Sequence, residues 1–457
     1  MINKKKCDVV VIGAGLTGLT TAHYLKKANK NFIVLEKENR PGGVINSVSG
    51  QGFLYEKGPN TGVIGNTAVV ELFTDLSELC EVELADNTVK KRYILKDEEW
   101  EQLPGGISGG IKTPLFTTKD KFRILGEPFR ARGKDPHENL TSFVKRRLGE
   151  SFYNYAIDPF IIGVYAGDPN VLIPKYALPK LYNLEQKYGS LIGGSIRKSF
   201  EKKTEPEKQV NRKVFSLKGG LCSLTNALYK SAGKENFIFG AQQCKINPVD
   251  NTYIINLTDE KGDALIIKTN NVITTTGAYT LDSLLPFIEK KSIHNLTTLL
   301  YTKVIEVSIG FNKWEGINLD GFGGLIPSIE KRDLLGILYM SSLFKNRAPE
   351  GGALLTIFMG GVRRQDLMRL SDDEIKKIVE KECTGLMKLK QFNPVLFNMI
   401  RHEKAIPQYG IESGVRFETI MKLEKQYKGL FIGGNLKDGI GMADRIYQGK
   451  ELALRVK

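Results

Sequence analysis

The chain has 457 residues, 41% of them hydrophobic, and a net charge of +15 from 66 Lys+Arg against 51 Asp+Glu. That length exceeds one ordinary core and predicts roughly two or three structural units, and the composition excludes a disordered chain. Five scattered cysteines, four histidines without metal-like spacing and no window of about eighteen apolar residues argue against a disulfide scaffold, a structural metal and a membrane-spanning helix.

The N-terminal run Cys7-Asp8-Val9-Val10-Val11-Ile12 predicts a strand stopped by Gly13, then a helix over Thr17–Lys27 and a second strand over Asn31–Glu36. A helix is expected from Thr67 to Leu84, and a pair of strands between Val89 and Leu103. Gly105–Gly110 reads as a loop. Phe116–Phe129 and Leu140–Tyr155 read as helices, and Phe160–Tyr165 is strongly apolar. Lys198–Lys213 is charged and aperiodic, which suits an exposed crossing. A helix is expected after Gly219-Gly220. Strands are then expected at Thr252–Ile255, Ala264–Ile267, Asn271–Thr274, Val304–Phe311, Leu334–Met340, Ala353–Gly360 and Leu430–Ile432. Ser371–Lys390 and Asp444–Leu454 read as helices. The order βαβ, helical stretch, scattered strands, βα implies a discontinuous dinucleotide domain over 1–90, 205–280 and 410–457. A helical insertion over 91–204 and a substrate domain over 281–409 separate its parts.

The chemistry begins at the first turn. Gly13-Ala14-Gly15-Leu16-Thr17-Gly18 fits G-x-G-x-x-G: Gly13 for the tight turn, Gly15 for close approach of a pyrophosphate, Gly18 for helix-to-sheet packing. The helix start offers unpaired N–H groups to phosphate. Glu36 stands about twenty residues on, where a carboxylate accepts ribose hydroxyls. Arg40-Pro41-Gly42-Gly43 follows, flanked by Lys37 and Val44. This resembles the R-x-G-G signature of FAD enzymes of the amine oxidase type, in which Arg40 would offset phosphate charge. FAD is therefore the expected cofactor.

Several further segments resemble the protoporphyrinogen and coproporphyrinogen oxidase family, in its bacterial form. They are Glu56–Thr61, Pro159–Pro169, Gly321–Ser328, Ser341–Pro349 ending in Arg347-Ala348-Pro349, and Gly433-Gly434-Asn435 with Gly439-Ile440-Gly441. The resemblance implies an α/β, Rossmann-like FAD-binding fold of the two-dinucleotide-binding-domain flavoprotein type, with a mixed substrate domain and a helical insertion. It implies oxidation of a porphyrinogen in haem synthesis, with oxygen as acceptor. By the same resemblance Gly58, Pro59, Asn60, Thr61, Cys244, Gly434, Asn435, Gly441 and Met442 join the FAD contacts. Cys244 stands where the family often has valine. Arg92 would pair with a propionate, Leu325 and Phe358 would sandwich a pyrrole ring, and the Gly167 carbonyl would orient the substrate. Read alone, Arg92 is a strand arginine, Leu325 and Phe358 are core residues, and Gly167 is a turn. Asp168 equally caps a turn, and no acid or base is assigned. His402 has the best functional claim of the four histidines, although a surface or satisfied core role is the simpler reading.

The basic balance suits an anionic substrate, an anionic lipid surface or plain solubility. No nucleic-acid motif is present. A cytoplasmic enzyme is expected, peripheral on the inner face of the cell membrane, with a homodimer and ferrochelatase or another haem-pathway enzyme as candidate partners. Coproporphyrinogen III is the alternative substrate. A flavin amine oxidase or carotene desaturase, and a non-enzymatic flavin-binding interaction protein, are the alternative classes.

Overall fold

The computed structural model describes residues 3–202 and 204–456. The β-branched N-terminal run forms a strand over Asn3–Ile12, and Val9, Val10 and Val11 are fully buried. It lies at the centre of a seven-stranded sheet. The strands run in the order Phe237–Ile238, Phe32–Leu35, Asn3–Ile12, Ala264–Thr274, Thr252–Thr258, Gln242–Val249, and Leu430–Ile432 pairs with the end of Ala264–Thr274. Phe237–Ile238, Phe32–Leu35, Asn3–Ile12, Ala264–Thr274 and Leu430–Ile432 pair in parallel. Thr252–Thr258 and Gln242–Val249 are antiparallel additions. Two strands expected between Ala264 and Thr274 are one. The polar stretch Lys268–Asn271 does not interrupt it, because the strand pairs with Asn3–Ile12 from Leu265 to Thr274.

The first helix, Leu16–Lys27, and the last, Met442–Leu454, pack against each other. The Thr21 hydroxyl donates to Thr17 O and Gly449 O. A Cβ on Gly449 would come within 2.7 Å of Thr17 O, so only glycine allows this approach. Both ends of the chain thus close on one turn.

A second seven-stranded sheet has the order Leu396–His402, Val304–Phe311, Ala353–Gly360, Leu334–Tyr339, Gly321–Leu325, Lys91–Lys96, Glu99–Gln102. All its pairings are antiparallel except Gly321–Leu325 with Lys91–Lys96. One face carries Ile305, Val307, Ile309, Ile337 and Ile357. They form a core with Ile375, Val379, Cys383 and Leu386 of the helix Asp372–Leu386. That helix stops short of the expected Lys390, and a Ser371–Glu374 capping box fixes its start. The opposite face is turned toward Asn60, which bonds Glu306 and Thr356 on it.

Short helices fill residues 106–199. The expected loop Gly105–Gly110 is mostly a helix, Gly106–Lys112. The expected helix Thr67–Leu84 ends at Asp75, and Val82–Leu84 becomes a strand in a small three-stranded sheet. Leu140–Tyr155 is broken at Gly149, whose φ of +100° a helix does not tolerate. Lys198–Lys213 contains a short helix, Glu205–Gln209, and Lys203 lies outside the described residues. Among the described residues no helix is long and apolar enough to cross a membrane.

Candidate active site

The turn after the first strand is built for close approach. Gly13 has φ +101°. A Cβ on Gly18 would stand 1.9 Å from Gly13 O, which ties the helix to the turn. A Cβ on Gly15 would meet no protein atom within 4 Å, so this glycine faces open space, as a ligand-lined position requires. Ala14 O accepts from Gly42 N at 2.8 Å, and Gly15 bridges Gly42. Gly42 and Gly43 have φ +109° and +58°. A Cβ on Gly58 would meet Val44 O at 2.1 Å. The Gly13–Gly18 turn, the Gly42-Gly43 loop and the Gly58 segment are thus stacked with no room for side chains between them. Leu16 and Thr17 are buried in the first turn of the helix, whose initial N–H groups have no intrahelical acceptor.

Glu36 is buried at the end of its strand. Its carboxylate accepts from Ala14 N at 2.7 Å and Glu38 N at 3.0 Å, and each oxygen keeps lone pairs for a hydroxyl. Arg40 donates to Pro41 O, Ile45 O and Gly43 O. Its hydrogen bonds clamp the loop, where the sequence suggested a phosphate partner. Lys37 is exposed beside Glu38, and Val44 is 67% exposed, an apolar side chain left without cover. Cys244 is half-buried in an apolar cluster, and burial pushes its thiol up to about 12, so it behaves as a small hydrophobe. At the C-terminal end Gly434 has φ +98°, and a Cβ there would meet Thr276 O at 2.5 Å. Asn435 Oδ1 accepts from the Tyr301 hydroxyl at 2.9 Å. Gly441 caps the last helix, which begins at Met442.

Asn60 joins this cradle to the second sheet. Its amide donates to Gly58 O at 2.9 Å and to Glu306 Oε1 at 2.7 Å, and its oxygen accepts from Thr356 at 2.9 Å. Both N–H groups are used, so only an acceptor lone pair remains. Pro59 and Thr61 flank it, half-buried. Just upstream, buried Glu56 meets buried Arg347 at 3.5 Å. Glu56 also accepts from Ser47 and Leu221 N, and Arg347 donates to Ser216. Burial pushes the Glu56 carboxyl up, against the pull of these donors. Two segments far apart in sequence, Glu56–Thr61 and Arg347–Pro349, are therefore one joint.

The cradle-facing side of the second sheet has an uneven surface. In Leu334–Tyr339 only Leu338 is not fully buried, and in Ala353–Gly360 only Phe358. In Gly321–Leu325 the half-exposed residues are Phe322 and Leu325. Register places Leu325, Gly336 and Phe358 in one row across three strands, and Gly323, Leu338 and Thr356 in the next. Gly336 and Gly323 lie among Leu325, Leu338 and Phe358, where a Cβ would collide with Gly324 O or Ile337 O, so this apolar floor carries no side chain at those two positions. Helix Asp158–Tyr165 borders it, with Ile162 in the Phe358 cluster. A Cβ on Gly163 would meet Leu325 Cδ2 at 2.3 Å.

Arg92 lies at the edge of this face, two residues from Ile94, which pairs with Leu325. It is exposed, its guanidinium is 5.4 Å from the centre of the Phe322 ring, and it has no carboxylate partner among the described residues. Gly167 follows the left-handed Ala166 at the end of helix Asp158–Tyr165. A Cβ on it would meet Gln408 Oε1 at 2.1 Å. Asp168 binds Arg363 at 3.0 Å and Asn170 N at 2.9 Å. These partners outweigh its burial and hold its carboxyl low, so it is a structural turn residue.

Sequence reasoning passed over Leu338, Glu306 and Arg445. Leu338 and Glu306 follow from strand alternation once the floor is known. Buried Arg445 holds the loop after Asn435, through Gly434 O and through Lys437 O at 2.8 Å. Only contact across eleven residues of turn and helix reveals that role.

Comparison with known proteins now bears on this geometry. The family of flavin-containing amine oxidoreductases matches residues 16–442. The mitochondrial protoporphyrinogen oxidase of Nicotiana tabacum is 30% identical over 96% of this chain and 93% of its own. The coproporphyrinogen III oxidase of Bacillus subtilis (strain 168) is 27% identical over 97% of both. A solved structure from Exiguobacterium sp. 255-15, whose name proposes a protoporphyrinogen oxidase, superposes with TM-score 0.80 at 21% identity over 99% of both chains. The family match makes FAD the cofactor of this chain.

Proposed function

The chain belongs to the flavin-containing amine oxidoreductase family, and from that premise we propose that it oxidises protoporphyrinogen IX to protoporphyrin IX, with oxygen as final acceptor. The single observation that carries the substrate reading is the floor of Leu325, Leu338 and Phe358 with Arg92 at its edge. A tetrapyrrole offers broad apolar faces and acidic side chains, so it needs wide apolar contact and a cation at one margin. The porphyrinogen names carried by full-length relatives support the same reading.

Bound FAD supplies the hydride acceptor. The remaining work falls to the chain. Leu325, Leu338 and Phe358 press the macrocycle into place and exclude water from the reacting carbon–hydrogen bond. Arg92 pairs with a propionate. The Gly167 carbonyl faces the substrate at the end of its helix. Protoporphyrinogen IX has its two propionates on one edge, whereas coproporphyrinogen III carries four around its rim. An unpaired arginine at one margin favours the former.

An amine oxidase reading lacks support in the floor, where Phe358 lies with two leucines and Phe322 lies at the margin beneath Arg92, rather than the rings forming a cage. The helical insertion adds a membrane reading. Phe129 is 92% exposed, and Phe122, Leu125, Ile196 and Phe200 are also exposed, on helices that pack near one another among Lys121, Arg123, Arg130, Arg197 and Lys198. That mixture suits peripheral seating on anionic lipid.

The test is turnover in air. FAD-loaded protein is given each porphyrinogen, and porphyrin fluorescence is followed. Protoporphyrin formation with the higher kcat/KM is expected. Preference for coproporphyrinogen would correct the substrate, and no porphyrin from either would end the reading.

A further inference from the structure

One carboxylate on the substrate sheet lies where an apolar residue would cost less. Strand Val304–Phe311 is buried along its whole length, and Glu306 is its only ionisable residue. Register sets Glu306 directly opposite Phe358 on one side and Ile400 on the other, on the cradle-facing side of the sheet. Cross-strand partners have Cβ atoms about 5 Å apart, so the carboxylate adjoins the ring-contacting phenylalanine.

Its hydrogen bonds are specific. Oε1 accepts from Asn60 at 2.7 Å, and Oε2 meets His402 Nε2 at 3.0 Å. The Glu306 side chain is 2% exposed and that of His402 is 22% exposed. The pair therefore has a buried carboxylate behind and an imidazole in front. Burial pushes the Glu306 carboxyl up, and His402 and Asn60 pull it back. With Glu306 accepting at Nε2, the acceptor nitrogen is Nδ1, which no described residue bonds. The chain just after His402 packs where the substrate is expected. Ala405 and Ile406 join the Phe358 cluster with Ile162 and Ala166, and Gln408 touches Gly167.

Other charges near the pair are engaged elsewhere. Lys303 pairs with Glu403, and Lys404 lies over the Tyr279 ring. Arg401, on the other face of the edge strand, bonds Asp372 and Leu370 O. From the Asn60 segment the uncharged Asn60 amide bonds Glu306, and on the facing strand Thr356 donates to the Asn60 oxygen, so among the described residues these elements bring no charge to the pair.

We propose that His402 is the proton acceptor in the oxidation, and that Glu306 is the positioning carboxylate that fixes its tautomer and orientation. This rests on the porphyrinogen reading above. In a two-electron step a carbon–hydrogen bond of the macrocycle breaks, and hydrogen leaves with the electron pair as hydride to FAD. A pyrrole nitrogen–hydrogen bond breaks as well. Its electrons stay in the macrocycle as the new carbon–nitrogen double bond, and its proton goes to His402 Nδ1. The exposed edge of the imidazole then releases the proton to water. General bases of this kind contribute about 10²–10⁴-fold to a rate.

The experiment uses FAD-loaded wild type, His402→Gln, His402→Phe and Glu306→Gln. With four histidines in the chain, each imidazole resonance is assignable by single substitution. The wild type should lose kcat/KM at low pH with the titration of the His402 resonance. In Glu306→Gln the resonance and the kinetic limb should move by the same amount. In His402→Gln and His402→Phe the limb should vanish and kcat fall about 100-fold or more. Flavin content should stay unchanged, and added imidazole should restore part of the rate. A His402 variant that keeps wild-type kcat and its acidic limb overturns the proposal. So does a Glu306→Gln resonance that moves while the limb stays. Should the His402 variants fail to load FAD, the Glu306→Gln pair of titrations decides. A wild type inert toward every porphyrinogen is a different failure, because it removes the functional reading and this inference with it.

Discussion

The two seven-stranded sheets do their work in opposite ways. In the first, the proposed cofactor site lies at the strand ends and in the backbone: Gly13, Gly15, Gly18, Gly42 and Gly434 allow turns and close approaches that a side chain would block. In the second, the proposed substrate site lies on a face and in side chains: Leu325, Leu338, Phe358 and Arg92 would act by what they present. A parallel sheet opens its strand ends to a phosphate and its helix N-termini. A mostly antiparallel sheet, covered on one side by helix Asp372–Leu386, turns its other side toward the Asn60 segment and helix Asp158–Tyr165, with Leu325, Leu338 and Phe358 only partly covered.

This contrast can be broken by substitution. The largest effect belongs to the first sheet. Gly18→Val places a side chain against Gly13 O, where even a Cβ stands at 1.9 Å. It should abolish FAD binding, read as loss of the flavin absorbance from purified protein, and all activity with it. Retained flavin would mean that the turn does not hold the cofactor.

A smaller effect belongs to the floor. Phe358→Ala or Leu338→Ala should keep full flavin content and lower kcat/KM for the porphyrinogen by about 10- to 100-fold, the worth of roughly 1.5–3 kcal/mol of apolar contact. Loss of flavin in either variant would erase the division of labour between the sheets.

The smallest effect is at the margin. Arg92→Ala should raise KM about 10-fold with kcat nearly unchanged, because it removes one charge-assisted contact to a propionate made equally before and during reaction. The rise should shrink at high salt, since the site is exposed. A fall in kcat with constant KM would place Arg92 elsewhere in the reaction.

The sequence disclosed the first sheet better than the second, for physical reasons. Backbone-built sites need glycine at fixed short spacing, so Gly13–Gly18 and Gly42-Gly43 stand out in a linear reading. Glu36 does too, because its distance from the turn is set by one βαβ unit. Face-built sites take residues from strands far apart in the chain. Leu325 and Phe358 look like any core residues, and resemblance, not pattern, singled them out. Leu338 needed the register with Thr356 to be noticed. Glu306 sits in an unbroken apolar strand, and nothing local announces that Asn60 and His402 converge on it from 246 and 96 residues away. Arg40 has a plain motif, and the structure adds what the motif did not say, that its guanidinium bonds three carbonyls of its own loop. The helices of the insertion were misjudged where glycine decides, at Gly149, and where glycine does not, at Gly106–Lys112.

The most direct test of the account is a single turnover without oxygen. FAD-loaded protein is mixed with protoporphyrinogen IX in an anaerobic stopped-flow cell, and flavin absorbance and porphyrin fluorescence are recorded together. The account predicts bleaching of the flavin coupled to oxidation of the macrocycle, slowed in Phe358→Ala and absent in Gly18→Val. A flavin that stays oxidised before both protoporphyrinogen IX and coproporphyrinogen III would contradict it.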